Sequence, residues 1–309
     1  MRVIINLENI NKELQNSCLT IGNFDGVHLG HQKILKLNKE IAQDNNQKSA
    51  LLTFEPHPRH FFNPKLDKNV RIYSLSQKLE ILKEENLVDV VFLIHFNQDL
   101  ANLTANKFIE KILFNKLKIS NLTIGYDFNF GKDRQGNGQL LKESSLKYGY
   151  NFHQIDVKKD QNNQIYSSTL IRNLIKSGKV QKAYKILGRN YEIKGIVVNG
   201  NKMGREIGFK TVNILPKFHI IKPKFGVYKS VTNIDGKKYN SITNFGIKPT
   251  LNGKKEVFET HIFNFNQDIY YKNIKVELLE FIREERKFNN IEELKEQIKK
   301  DCDLAKNTN

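Results

Sequence analysis

Thr20-Ile21-Gly22-Asn23-Phe24-Asp25-Gly26-Val27-His28-Leu29-Gly30-His31-Gln32 decides the fold. The apolar run 18–21 leading into it reads as a short strand, and a helical pattern follows over 31–43. A glycine-rich turn lies between them. Gly22, Gly26 and Gly30 let backbone approach a ligand closely. The helix start after Gly30 offers free N–H groups to an anion. His28 and His31 stand three apart at that opening, where imidazoles can hydrogen-bond phosphate oxygens.

The same strand-to-helix rhythm continues outward. Strands are expected at 50–54, 88–94, 122–124 and 152–155, with helices at 75–86, 104–116 and 138–148. This alternation predicts a Rossmann-like α/β domain with a parallel sheet and helices on both faces. Helices at 168–177 and 179–187 close this half, and Gly188 is placed to end the second of them. Beyond it the pattern changes to short alternating strands at 191–198, 226–234, 238–244, 257–263 and 273–282. Asp235-Gly236 and Asn252-Gly253 are turn signals between them. An antiparallel β-barrel is predicted, followed by an amphipathic helix over 290–303. The expected domains are therefore 1–187 and 188–309.

Composition narrows the function. With 309 residues, 39% hydrophobic and 27% charged, the chain reads as two globular domains. The longest purely apolar run, 90–94, is far too short to cross a bilayer, and the first residues lack the apolar core of a secretory leader. Two cysteines, Cys18 and Cys302, exclude a disulfide framework and a zinc knuckle, so the cytoplasm is the expected location. The net charge of +17 raises a nucleic-acid reading. Yet the charge divides evenly, +9 over 1–187 and +8 over 188–309, with no basic arm. It comes with 41 lysines, 9 arginines and 37 asparagines, a global compositional bias. Expected partners are small anionic substrates rather than nucleic acid or membrane, for a monomer or weak homo-oligomer.

Gly22 to Gln32 resembles the N-terminal module of bacterial bifunctional riboflavin kinase/FAD synthetases, within the HxGH nucleotidyltransferase superfamily. Phe54-Glu55-Pro56-His57-Pro58, Ile124-Gly125-Tyr126-Asp127-Phe128-Asn129-Phe130-Gly131 and Ser167-Ser168-Thr169-Leu170-Ile171-Arg172 match further motifs of that family in order. The resemblance implies adenylyl transfer from ATP to FMN, giving FAD. It implies that Gly22, Asn23, Phe24, Gly26, His28, Gly30 and His31 bind ATP phosphates, joined by Ser167, Ser168, Thr169 and Arg172. His28 and His31 take the catalytic part. His57 and Asp127 are candidate flavin or nucleotide contacts. A structural role for His57 between two prolines, and a plain helix cap for the Ser/Thr cluster, stay open.

In the second half, the glycine-rich, basic stretch 200–214 contains no GxxxxGK[ST] loop, which excludes a Walker A kinase. It resembles the riboflavin kinase GRxxGFPTAN motif. That resemblance places ATP at Gly204, Gly208, Thr211 and Asn213, with Thr211 toward Mg²⁺. Thr211 and Asn213 alternate and so share one strand face. Lys210 and Val212 stand where the family has Pro and Ala. Phe225-Gly226-Val227-Tyr228, 244–250 and 258–263 also match, with Lys248 in place of Arg and Asn264 in place of Asp. Glu259 is implied as the general base toward riboflavin, and Arg283 as a residue near the flavin. The resemblance thus implies ATP and Mg²⁺ for both steps, with riboflavin, FMN and FAD as substrates and products. The departures leave two alternatives open: a chain with only the adenylyltransferase half active, or a flavin-binding regulator without turnover.

Overall fold

The computed structural model describes all residues except 6, 8–9, 64–70, 157–164, 200–207, 217–219, 251–252 and 307–309, with backbone only at 248–250 and 253–255. These residues form two compact units, Met1–Ser168 and Thr169–Asn309.

The first unit is built on β1 (Arg2–Ile4), β2 (Cys18–Ile21), β3 (Ser49–Glu55), β4 (Val90–His95), β5 (Asn121–Gly125) and β6 (Asn151–Ile155). They form one parallel sheet in the order β1-β4-β3-β2-β5-β6. The register aligns Leu19 with Ala50 and Leu122, and Ala50 with Val90. One face is therefore a continuous apolar layer, which packs on Ala105, Phe108, Ile109, Ile112, Leu113 and Leu141. Those residues come from α5 (Ala105–Phe108), its π-helical continuation Ile109–Lys116, and α6 (Gly138–Tyr148). The other face carries Cys18, Thr20, Ser49, Thr53, Asn121 and Thr123, all buried. Helix α1 (Leu29–Asp44) packs against β2, β3 and β5, and its Asn38 amide donates to the Cys18 carbonyl at 2.9 Å. Burial on both faces lets β4 read as a continuous apolar run, whereas β2, β3 and β5 alternate apolar residues on one face with small buried polar ones on the other. The remaining helices are α2 (Pro58–Phe62), α3 (Leu75–Glu84) and α4 (Gln98–Ala101).

Helix α7 (Ser168–Lys176) starts at the last residue of the first unit, and the second unit takes its remainder and α8 (Val180–Leu187). Gly188 ends α8 in the left-handed region at φ 76° and returns its N–H to Tyr184 O at 2.8 Å, as its position in the sequence suggests. Six antiparallel strands then close a barrel in the order β10-β11-β8-β7-β12-β9. They are β7 (Tyr191–Val198), β8 (Thr211–Pro216), β9 (Gly226–Ile234), β10 (Lys237–Thr250), β11 (Gly253–Ile262) and β12 (Asn273–Arg283). Asp235-Gly236 joins β9 to β10 as a two-residue hairpin with both residues at positive φ, 49° and 85°. The Asn252-Gly253 signal includes a residue outside the described set. Helix α9 (Ile291–Lys306) lays Cys302 and Ala305 on Val227, Ile242 and Phe263.

Four departures from the sequence reading have physical causes. Strand β1 has three residues, too few for any periodicity to show. Strand β8 follows a glycine-rich stretch that reads as a turn. Helix α2 is a single short turn. Strand β10 runs on past Asn244 to Thr250 despite Gly246 and Pro249, because its pairing with β9 ends at Phe245 and, among the described residues, only β11 follows it further. A proline is tolerated on such an edge. Packing of α8 on β7 and β12 ties it to the barrel, so the compact units divide at 168/169 while the sequence pattern changes at 188.

Candidate active sites

Strand β2 lies between β3 and β5, so the strand order reverses there, and the crevice at the carboxyl ends of strands is where such folds take ligands. The loops leaving β2, β3 and β5 hold three of the motifs quoted above. In the β2 loop, Phe24, Gly26 and Val27 have φ of 48°, 85° and 41°. A side chain in that region costs about 1–3 kcal/mol. Phe24 and Val27 are buried, and burying such a side chain contributes about 1.5–3 kcal/mol in return. A Cβ at Gly22 would lie 2.9 Å from the Phe24 ring, and one at Gly30 3.1 Å from the His28 ring, so the two glycines let those rings fold over the loop.

His28 is the N-cap of α1: its Nδ1 accepts the His31 N–H at 3.3 Å. In a neutral imidazole that leaves the proton on Nε2. The two rings stack, with centroids 3.5 Å apart and planes 19° off parallel. His31 also meets the Phe24 ring at 4.8 Å, and its Nδ1 is buried without a hydrogen bond among the described residues. Desolvation, then repulsion from His28 and Lys78, holds the His31 pKa well below 6.5. His31 is therefore a neutral donor or acceptor rather than a cation.

Ser168 joins this loop: its Oγ donates to the Asp25 carbonyl at 2.9 Å. Ser167 is its neighbour, while Thr169 and Arg172 continue along α7, with Arg172 buried. His57 caps α2 by accepting the Arg59 N–H on Nδ1 at 3.1 Å. Asp127 is exposed after β5, where its carbonyl accepts from the Asn129 amide at 2.8 Å. Lys78 has no counterpart in the sequence reading. It lies on α3, is 8% exposed, and its ammonium donates to Asn23 O at 3.2 Å and Thr53 Oγ1 at 3.0 Å.

In the barrel, Glu259 on β11 lies opposite Asn213 of β8 on one side and Asn244 of β10 on the other. Directly paired residues share a face, so three polar side chains form one rung across three strands. Thr211, two residues before Asn213, donates its hydroxyl to Glu259 Oε1 at 2.9 Å. The Asn244 amide donates to Glu285 at 3.3 Å, while its Oδ1 is buried without a partner among the described residues. The Lys210 carbonyl accepts from His261 Nδ1 at 2.8 Å, and the Lys210 ammonium donates to Asn266 O at 3.5 Å. Gly208 has φ 88° with open space around it. Gly204 lies outside the described residues. Arg283 forms a fork with the buried Asp301, Nε at 3.0 Å from both carboxylate oxygens and Nη2 at 2.6 Å from Oδ2. No group of three or more His, Cys, Asp or Glu suited to a metal occurs among the described residues. The Thr211 hydroxyl, Asn213 amide and Glu259 carboxylate are hard oxygen donors. Such a set fits Mg²⁺ that is chelated mainly by phosphates.

The stacked histidines at a helix start on a parallel sheet, and the Glu259 rung on a closed barrel, define a two-module phosphate-transfer protein. Residues 10–169 match the FAD synthetase family, and residues 187–309 match the riboflavin kinase family. A bifunctional riboflavin kinase/FMN adenylyltransferase of Buchnera aphidicola (subsp. Schizaphis graminum) is 40% identical over 99% of this chain and 98% of its own length. The Haemophilus influenzae protein of the same description is also 40% identical, with the same coverage. A crystal structure from Streptococcus pneumoniae, described as a macrolide-efflux protein, superposes with a TM-score of 0.90 at 29% identity over 99% of both chains. Among the described residues, no helix is long and apolar enough to cross a membrane. The chain belongs to the bifunctional riboflavin kinase/FMN adenylyltransferase family.

Proposed function

We propose that this chain makes FAD from riboflavin in two ATP-dependent steps, each at its own site. In the barrel, Glu259 accepts the proton of the terminal ribityl hydroxyl as that oxygen attacks the γ-phosphorus of ATP. The γ-phosphorus–oxygen bond breaks, and FMN and ADP result. The Thr211 hydroxyl fixes the orientation of the base through its bond to Oε1. In the first unit, a phosphate oxygen of FMN attacks the α-phosphorus of ATP, the bond to the β-phosphate breaks, and pyrophosphate leaves. No covalent intermediate with the protein is needed. Catalysis there is positioning and charge stabilisation by His28, His31 and the N–H groups opening α1. Gly22, Asn23, Phe24, Gly26 and Gly30 line the phosphates. Ser167, Ser168, Thr169 and Arg172 serve the β/γ side, with His57 and Asp127 toward flavin or nucleotide. In the kinase, Thr211, Asn213, Gly204 and Gly208 serve ATP, and Arg283 serves flavin binding. Thr211 would hold Mg²⁺ in the kinase site, where the ion would offset triphosphate charge.

The observation that carries the reading is the rung Asn213–Glu259–Asn244 with Thr211 bonded to its centre. It keeps the kinase half built despite Lys210 and Asn264, and so speaks for two activities rather than one. In this reading the functional boundary falls at 187/188. The protein works in the cytoplasm on small molecules rather than nucleic acid, as a monomer or weak homo-oligomer. The test is chromatographic product analysis after incubation with Mg·ATP and either riboflavin or FMN. FAD from riboflavin is the expected result. FAD from FMN alone would mean a silent kinase, and no product from a folded protein would favour a flavin-binding regulator.

A further inference from the structure

The loop Asn23–Val27 carries two non-glycine residues at positive φ, Phe24 and Val27, and Val27 is β-branched. Such a backbone persists only where its surroundings over-determine it. Here alternate carbonyls of the loop are each held by a side chain from a different element. Asn23 O accepts from Lys78 of α3 at 3.2 Å, Asp25 O from Ser168 at the start of α7 at 2.9 Å, and Val27 O from Gln32 of α1 at 3.1 Å. The Asp25 carboxylate is in turn fixed by the Ile72 N–H, at 3.0 and 3.3 Å.

Gln32 and Ser168 show that a neutral donor is enough to satisfy a carbonyl. Lys78 therefore calls for a separate account, because a buried ammonium is costly. Its charge interacts with Asp25 of the loop, with Glu55 at the end of β3, with Arg71 ahead of α3, and with His31 of α1. Glu55 and Arg71 are themselves paired at 2.7 Å. The ammonium thus joins α3, β3 and the β2 loop at one point and acts electrostatically on His31.

We propose that Lys78 is a positioning residue for adenylyl transfer, holding the Asn23–Val27 loop in the strained shape that sets His28 and His31 against the reacting phosphates. The proposal rests on the reading of that loop as the FMN adenylylation site. Burial, opposed by Asp25 and reinforced by Arg71, lowers the Lys78 pKa from 10.5 to about 8. The clamp therefore loses its charge on the alkaline side of neutrality.

The experiment measures FMN adenylylation and riboflavin phosphorylation in the full chain and in Lys78→Met, Lys78→Arg and Lys83→Met. Lys83 lies exposed on the same helix and serves as the control. Thermal unfolding followed by circular dichroism checks folding. Lys78→Met is expected to lower kcat for adenylylation by about 100-fold, the scale of a misplaced catalytic constellation, while KM for ATP moves far less. Riboflavin phosphorylation and the Lys83→Met variant stay at the unsubstituted level. The unsubstituted protein loses adenylylation as pH rises through about 8, and Lys78→Arg, which does not titrate there, regains activity and extends it to higher pH. Unchanged kcat in Lys78→Met, or the same alkaline limb in Lys78→Arg, would overturn the proposal. If Lys78→Met does not fold, the Lys78→Arg profile alone decides. If the unsubstituted protein forms no FAD from FMN, the reading of the site fails first and takes the proposal with it.

Discussion

The hydroxyl of Thr211 donates a 2.9 Å hydrogen bond to Oε1 of Glu259 across adjacent barrel strands. The register explains why they meet. Glu259 pairs with Asn213 and His261 with Thr211, so the bond runs diagonally on one face of the β8–β11 pair. A carboxylate oriented in this way by a hydroxyl is suited to take a proton from a positioned alcohol.

The first prediction follows from that geometry. Glu259→Gln keeps the shape and the Thr211 contact but removes the base. Riboflavin phosphorylation should fall by about 100-fold or more, the usual contribution of general base catalysis. Conversion of FMN to FAD should stay near normal. Separate product assays with riboflavin and with FMN read the two activities. Loss of both in a folded variant would break the two-site reading.

The histidines give the converse. His28→Ala removes both an imidazole and a helix cap, the cap being worth about 1 kcal/mol. His28→Asn restores a capping oxygen without the ring. It should therefore keep the stability of the parent while losing FMN adenylylation, as His31→Ala should, with riboflavin phosphorylation intact. The pH dependence has a definite sign. Desolvation and the neighbouring His28 and Lys78 depress the His31 pKa well below 6.5, so His31 stays neutral as pH falls through 6.5. Adenylylation should show no acid limb from His31 there. A limb near 6.5 that disappears in His31→Gln would contradict this.

Much of this was legible in the sequence, for reasons that differ by element. Short apolar-rich strands alternate with helical patterns, and a glycine-rich turn leads into α1, so the first sheet was accessible. The Thr211/Asn213 alternation was legible too, but its partner was not. That Asn244 completes the Glu259 rung depends on barrel register, which no local pattern encodes. Lys78 was missed because a lysine in an amphipathic helix reads as surface charge. The one available signal is its spacing, three after Leu75 and four before Leu82, on the apolar face of α3. The second role of Ser168, on the Asp25 carbonyl, depends on a contact 143 residues away in sequence.

Lys78 also makes a stability prediction. Its pKa in the folded protein, about 8, lies below the ordinary 10.5, so between those values the unfolded chain binds more protons than the folded one. Stability must then rise with pH across that window. Folding with a charged Lys78 costs on the order of 3 kcal/mol at neutral pH, and this cost fades as the ammonium deprotonates. Urea unfolding of the first unit between pH 7.5 and 10.5 should show the rise, and Lys78→Met should flatten it. A fall in stability over that range attributable to Lys78 would reverse the sign and defeat the account. Activity and stability therefore move in opposite directions with pH at this residue.

Arg283 poses the sharpest choice between two roles. Its family resemblance places it near the flavin, while the structure commits its fork to Asp301, with Nη1 on the Glu284 carbonyl at 2.9 Å. Asp301 also accepts from Gln297, one turn earlier on α9, at 2.6 Å. The pair thus ties α9 to β12, and α9 covers the barrel face formed by Val227, Ile242 and Phe263. The Asp301 side chain is 3% exposed, so removing its partner leaves a buried charge and should cost about 3 kcal/mol, the low end for such pairs because Arg283 itself is 21% exposed. Chemical denaturation of Arg283→Met measures that cost. The two roles separate in the kinetics. If the arginine acts through the clamp, Arg283→Lys and Asp301→Asn raise KM for riboflavin equally, and the double variant is no worse than either single one, as coupled partners require. If the guanidinium also touches flavin, Arg283→Lys exceeds Asp301→Asn and the double variant follows the lysine. Because Nε, Nη1 and Nη2 are all engaged within the protein, equal effects are the expected outcome.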